Sequence, residues 1–276
     1  MNDVQDIPTE LSVSLKTDSG CVRDTNEDTG YSFTPSDPSV LKRKGTLTLV
    51  ADGMGGHSAG EVASTLAVET ISRVYYSVDN SPGESLRKAF EEANQQIYAA
   101  SIADKNLEGM GTTATALAVY GTSAIAAHVG DSRLYLLREG EIYLMTEDHS
   151  AVKEMVKMGI ISAEQARHHE DKNVIVRALG TSPQVEVSFW ESPLAVRDGD
   201  QFLLCSDGLY DLVEDVEIRD LVLSAPDNHA ACESLIEMAK RRGGYDNITV
   251  GILSIKPAGY LETRSPRETR EVEVIL

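Results

Sequence analysis

The period of hydrophobic and polar positions changes several times along this chain, and each period predicts a different element. Residues 11–17 alternate Leu, Val and Leu with Ser, Ser and Lys, the spacing of a half-buried strand. Residues 47–50 form a short apolar run and read as a buried strand. From 59 to 76 the apolar residues Val62, Leu66, Val68, Ile71, Val74 and Tyr75 recur at helical spacing. From 85 to 102, Leu86, Phe90, Ala93, Ile97 and Ile102 do the same, so two long amphipathic helices are expected. Residues 109–130 contain no Asp, Glu, Lys or Arg and imitate a membrane span. Their Thr, Ala and Gly content, and the break at Tyr120-Gly121-Thr122-Ser123, fit two buried strands joined by a turn better.

A hairpin follows, 134–137 with 142–145, turning at Arg138-Glu139-Gly140. Residues 149–180 break the run of strands with two short polar helices around Gly159 and a His168-His169 pair, an insert placed to cap a site. Strands are expected again at 185–190 and 201–205, helices at 216–223 and 229–241, and a last strand at 248–255. Residues 33–44 read as a loop, 1–10 as a lead-in, and 257–276 as a charged tail, leaving one domain over 11–256. Strands arrive in hairpins and helices in pairs. That ordering favours an α+β fold, antiparallel sheets with helices on their outer faces, over a wound βαβ fold.

Composition narrows the partners. The formal charge of −19 argues against general affinity for nucleic acid or anionic membrane, and it raises the local concentration of cations. The 276 residues are 41% hydrophobic but only 5% aromatic, so aliphatic side chains must fill the core. Three cysteines, Cys21, Cys205 and Cys232, form no metal-ligand pair and no disulfide framework, and Cys205 reads as an inert buried thiol. Asp3, Asp6 and Glu10 interrupt any signal peptide, so a soluble, cytoplasmic protein is expected.

The candidate chemistry lies in short acidic motifs: Arg23-Asp24-Thr25-Asn26-Glu27-Asp28, Ala51-Asp52-Gly53-Met54-Gly55-Gly56-His57, Gly130-Asp131-Ser132-Arg133, Ser206-Asp207-Gly208 and Asp246-Asn247. Asp52, Asp131 and Asp207 each come where an apolar run stops, and a carboxylate at the mouth of a buried strand is costly unless positive charge faces it. Several such mouths converging would make an oxygen-only pocket for hard divalent cations. Singly, each motif is weak, since Asp-Gly is above all a turn signal. An EF-hand loop at Asp24 fails at Thr29 and Pro35, and no Walker or dinucleotide fingerprint occurs.

Together and in this order, with Gly111-Thr112-Thr113, Glu147-Asp148-His149-Ser150 and Asp246-Asn247-Ile248-Thr249, the motifs resemble the type-2C, metal-dependent (PPM) serine/threonine protein phosphatases. The Asp-Gly-Met-Gly-Gly-His wording is similar to the bacterial branch. The resemblance implies a central β-sandwich of two antiparallel sheets flanked by pairs of helices. It implies two tightly held Mn²⁺ or Mg²⁺ ions bridged by Asp52, with Asp207 and Asp246 on the first. Glu27 and the Gly53 carbonyl would help hold the second, with Asp28 outside them. A bridged pair of ions roughly 4 Å apart can activate water and offset the charge of an in-line displacement. Arg23 would clamp the substrate phosphate bidentately; its bland alternative is a surface ion pair with Asp24 or Asp28. Asp131 matches a third, weaker metal position shared with Asp207, or else caps its own turn through Ser132.

Met54 departs from the pattern, because many eukaryotic members carry there a His that donates a proton to the leaving alcohol. His57 is the nearest imidazole, and either an acid role or a helix-start contact fits it. His149 and His168-His169 belong to the insert, similar to the family's flap, as packing or solvated residues. The implied protein is a monomeric phosphatase. Its substrates would be proteins carrying phosphoserine or phosphothreonine from a cognate kinase, attacked by a metal-bridging hydroxide. The rivals are another phosphate ester or phosphohistidine on the same fold, and a silent phosphoprotein-binding regulator.

Overall fold

The computed structural model describes residues 10–55, 59–167 and 169–256. Their strands form two antiparallel sheets. One has the order β1 (Glu10–Asp18), β12 (Ile248–Lys256), β11 (Gln201–Cys205), β7 (Arg133–Arg138) and β8 (Glu141–Leu144). The other has the order β10 (Leu194–Ala195), β6 (Ser123–Val129), β5 (Ala114–Tyr120), β3 (Thr46–Met54) and β2 (Asp28–Phe33). Two short strands attach to it, β4 (Gly111–Thr112) on β3 and β9 (Ser188–Phe189) on β6.

Three apolar clusters hold the layers together. Leu117, Phe202, Leu204 and Leu253 fill the space between the sheets. Helices α2 (Ala59–Ser77) and α3 (Pro82–Ala103) bury Ala63, Ala67, Ile71, Leu86, Phe90 and Ile97 against the second sheet. Helices α7 (Asp215–Ser224) and α8 (Asn228–Arg241) bury Ile218, Ala231, Leu235 and Ala239 against the first. The helix–sheet–sheet–helix order is the fold expected from the pairing of strands and helices. No described helix is long and apolar enough to cross a membrane.

Four expectations need correction. Residues 33–44 are not all loop, since α1 (Pro38–Lys44) starts there: the Asp37 carboxylate caps it through the Ser39 N–H, with Pro38 in its first turn. Strand β3 runs on past Val50 to Met54, because β2 pairs it as far as Asp52 and the Gly111-Thr112 segment pairs Gly53 and Met54. Ile102 is 67% exposed, since five residues beyond Ile97 a helix has rotated off the buried stripe. In place of a strand over 185–190 there is only the two-residue β9, with a further two-residue strand, β10, beyond it. The insert does contain two short helices, α4 (Ala151–Lys157) and α5 (Ala163–Arg167).

Candidate active site

Antiparallel register sets the first two carboxylates face to face, with Asp28 at the start of β2 directly opposite Asp52 in β3. The backbone of Asp52 is fastened from the other side. Its N–H donates to Thr113 Oγ1 at 2.9 Å, and its carbonyl accepts from the Thr113 N–H at 2.8 Å and the Thr112 hydroxyl at 2.9 Å. Asp207 opens the single-turn helix α6 (Asp207–Tyr210). Gly208 is required there, because a Cβ would lie 2.0 Å from the Asn247 carbonyl oxygen. Asp246 precedes β12, and Asp131 follows β6 after Gly130, whose φ of 102° is open to glycine.

One oxygen of Asp28 is well supplied: Ser206 and Thr249 hydroxyls both donate to Oδ2 at 2.7 Å. Its other oxygen has no donor, and neither has Asp131 Oδ1 or Asp207 Oδ1, although all three atoms are buried. Buried carboxylate oxygens without partners are costly and call for a cation. Burial, together with the neighbouring carboxylates, pushes Asp28 up to about 6 and Asp131 up to about 7. The same causes push Asp52 and Asp207 well above the usual carboxylate range. Asp28, Asp131, Asp207 and Asp246 all act on Asp52, so these side chains share one electrostatic site. Among the described residues no three His, Cys, Asp or Glu side chains are gathered closely enough to hold an ion as they stand. The donors are all oxygen, which suits Mn²⁺ or Mg²⁺.

Glu27 stands just before β2, its carboxyl pushed upward by burial and drawn back by Arg23. Gly60 leaves room for it: a Cβ there would come 2.7 Å from the Glu27 carboxyl carbon. The Gly53 N–H donates to the Glu27 carbonyl at 3.1 Å, which brings the end of β3 against the Glu27 loop. Arg23 does pair with a carboxylate, but with neither Asp24 nor Asp28. Its Nη2 donates to Asp246 Oδ2 at 2.7 Å. Asp131 Oδ1 accepts nothing from Ser132, whose hydroxyl meets Thr113 Oγ1 at 2.7 Å. His57 lies outside the described residues, as do His168 and the tail 257–276.

Polar residues that the sequence reading left without a role hold these groups in place. Asn247 accepts the Glu27 N–H at 2.8 Å and donates to the Thr25 carbonyl at 2.9 Å and the Ser19 carbonyl at 3.2 Å. His149 packs rather than being solvated: it stacks on His128 with ring centroids 4.7 Å apart. It brackets Gly130 twice, accepting its N–H on Nδ1 at 3.0 Å and donating its own N–H to the Gly130 carbonyl at 2.9 Å. Burial pushes His149 down to about 3. Arg133 grips Asp148 with Nε and Nη2 and lies 3.7 Å over the Tyr210 ring. All these residues sit inside or beside the quoted motifs, so their positions were visible. Their partners were not.

The family model for protein phosphatase 2C matches residues 36–241. This chain belongs to that family. The serine/threonine phosphatase stp of Listeria welshimeri is 38% identical to it over 245 residues, 87% of this chain and 94% of that protein. The crystal structure of the Mycobacterium tuberculosis serine/threonine phosphatase PstP/Ppp shares 38% identity and gives a TM-score of 0.78. That alignment covers 90% of this chain and 99% of the other. The PstP catalytic domain in complex with two manganese ions gives a TM-score of 0.77 at 36% identity, over 90% of this chain and 99% of that one. The αββα sandwich described above is thus shared with these serine/threonine phosphatase structures.

Proposed function

We propose that this chain is a metal-dependent phosphoprotein phosphatase that hydrolyses phosphoserine and phosphothreonine. The observation that carries the reading is the set of buried, partnerless oxygens on Asp28, Asp131 and Asp207, in a chain that matches the family model. A phosphoprotein-binding module has no use for carboxylates turned on one another at this cost.

Asp52, Asp207 and Asp246 would hold one divalent cation. Asp52, Glu27 and the Gly53 carbonyl would hold a second, with Asp28 behind them. Asp131 and Asp207 would hold a third more weakly. When bound, such ions activate water and offset the charge that develops on phosphate. The residues of the chain do the rest. Thr112 and Thr113 fix the backbone of Asp52. Ser206 and Thr249 orient Asp28 by holding one of its oxygens. Arg23 binds the substrate phosphate. His149 holds the turn that carries Asp131, and its depressed pKa keeps it neutral, so it is no proton donor near neutral pH. His57 is the remaining candidate for that step.

Residues 11–256 form the catalytic domain in this reading, 149–180 a flap beside the site, and 257–276 a tail. The enzyme would work as a cytoplasmic monomer on proteins phosphorylated by a serine/threonine kinase, with Mn²⁺ or Mg²⁺. The test is hydrolysis of para-nitrophenyl phosphate and of phosphoserine, phosphothreonine and phosphohistidine peptides, with Mn²⁺ and with chelator. Turnover unaffected by chelator, or confined to phosphohistidine, overturns the reading.

A further inference from the structure

Asp246, partly exposed, differs from Asp28, Asp131 and Asp207 in having both oxygens engaged. Oδ1 accepts the Asn247 N–H at 2.9 Å, and Oδ2 accepts Arg23 Nη2 at 2.7 Å. Asp28, Asp131 and Asp207 each keep one oxygen without a donor. The positive group facing Asp246 is therefore the side chain that the proposed function assigns to substrate phosphate.

The loop carrying Arg23 is tied down on the segment that carries Asp246. The Cys21 N–H donates to the Gly244 carbonyl at 2.8 Å, and Asn247 bonds the backbone at Ser19, Thr25 and Glu27. Gly20, at φ 76°, packs so closely that a Cβ would sit 2.2 Å from the Asp246 carbonyl oxygen. The backbone is thus fixed at both sides of Arg23, and the freedom left belongs to its side chain. That side chain is half exposed, 51% against 34% for Asp246. An ion pair this open is weak and readily exchanged.

We infer that Arg23 and a divalent cation compete for Asp246, so that cation entry releases the guanidinium to take the substrate phosphate. The inference rests on the proposed roles of Asp246 and Arg23. A cation held by Asp246 would place like charge against the guanidinium and repel it. The arginine then turns to the anion that arrives with the substrate, for which its planar fork is suited. Cation and phosphate binding become coupled through one side chain, and by linkage each tightens the other. The chain would hold phosphate firmly only once its cations are in place.

Calorimetric titration of the full chain with Mn²⁺ tests the competition, using wild type, Arg23→Gln and Arg23→Lys. Arg23→Gln should bind Mn²⁺ more tightly by about 2- to 5-fold, the worth of an exposed ion pair, at unchanged stoichiometry. Arg23→Lys should fall between them. In a second measurement the Arg23 Nε–H resonance of ¹⁵N-arginine-labelled protein is followed with diamagnetic Mg²⁺ and inorganic phosphate. Mg²⁺ should move it, and phosphate should move it further only when Mg²⁺ is present. Equal Mn²⁺ affinities for wild type and Arg23→Gln, or a resonance that Mg²⁺ leaves in place, overturn the competition while the metal site stands. If wild type binds no Mn²⁺, the metal-site reading falls and takes this inference with it.

Discussion

Asp28 and Asp52 stand directly opposite each other in the antiparallel register of β2 and β3, so two acidic side chains share one cross-strand position. Like charges directly opposed destabilise a sheet. Here Ser206 and Thr249 reach across from the other sheet to hold Asp28, which leaves its second oxygen turned into the site. The pair is an expense at the mouth of an otherwise well-packed sandwich, and a divalent cation is the natural compensation.

Metal-free stability should depend on pH in a specific sense. The carboxyls of Asp28, Asp131, Asp52 and Asp207 are raised, Asp28 to about 6 and Asp131 to about 7. Between unfolded and folded pKa such a group binds more protons when folded. Its burial therefore costs stability above that window, and the cost disappears as pH falls through it. In chelator this effect should raise stability as pH drops from about 8 towards about 5. His149, pushed down to about 3, works oppositely: its contribution is present above its ordinary pKa and is lost on acidification. The imidazole effect is common to both metal states. The melting-temperature gap between Mn²⁺-loaded and chelated protein should therefore widen with rising pH in thermal melts. A gap independent of pH would refute the burial-driven shifts.

Asp52→Ala and Asp207→Ala should each reduce turnover by about 1000-fold or more, several kcal/mol of lost charge stabilisation, while the fold survives. Each removes one of the mutually repelling carboxyls, so the chelated variants should melt no lower than chelated wild type. Steady-state kinetics and melting curves on the same samples check both halves.

Arg23→Ala should raise KM more than it lowers kcat, because a charge-assisted bidentate contact to phosphate is worth about 1.5–3 kcal/mol, or about 10- to 100-fold. An unchanged kcat/KM would leave Arg23 as an ion-pair partner of Asp246 and nothing more.

Asp131→Ala should lower turnover and leave the two tighter cations bound, as read by calorimetry. Were Asp131 a turn cap, its loss would instead cost about 1 kcal/mol of stability and spare turnover. Its partnerless Oδ1, and the engagement of Ser132 with Thr113, favour the first outcome.

Two glycines should separate packing from site geometry. In Gly208→Ala the new Cβ meets the Asn247 carbonyl oxygen at 2.0 Å, a backbone atom that cannot give way easily. A loss of about 1–3 kcal/mol in chemical denaturation is expected. In Gly60→Ala the obstacle is the Glu27 carboxyl at 2.7 Å, the end of a flexible side chain. That variant should fold normally yet bind Mn²⁺ more weakly, because Glu27 is pushed aside.

The sequence by itself determined the layers. Strand and helix periods are local, and they placed α2, α3, α8, β5, β6 and β12 within a few residues of their observed bounds. Where a second strand or a cap supplied the missing hydrogen bonds, periodicity fell short. Strand β3 extends through Asp52 on its pairing with β2 and on to Met54 with β4, and α1 starts from the Asp37 cap. The acidic motifs were legible as candidates because carboxylates next to apolar runs need a counter-charge.

Only the tertiary structure decided which group each carboxylate faces. Arg23 pairs with Asp246, 223 residues away in sequence, rather than with Asp24 beside it. Ser206 and Thr249 serve Asp28 across the sandwich, and Asn247 joins the Glu27 loop to β12. Hydrogen bonds and ion pairs act over a few ångströms, whereas sequence separation says nothing about that distance until the two sheets have packed.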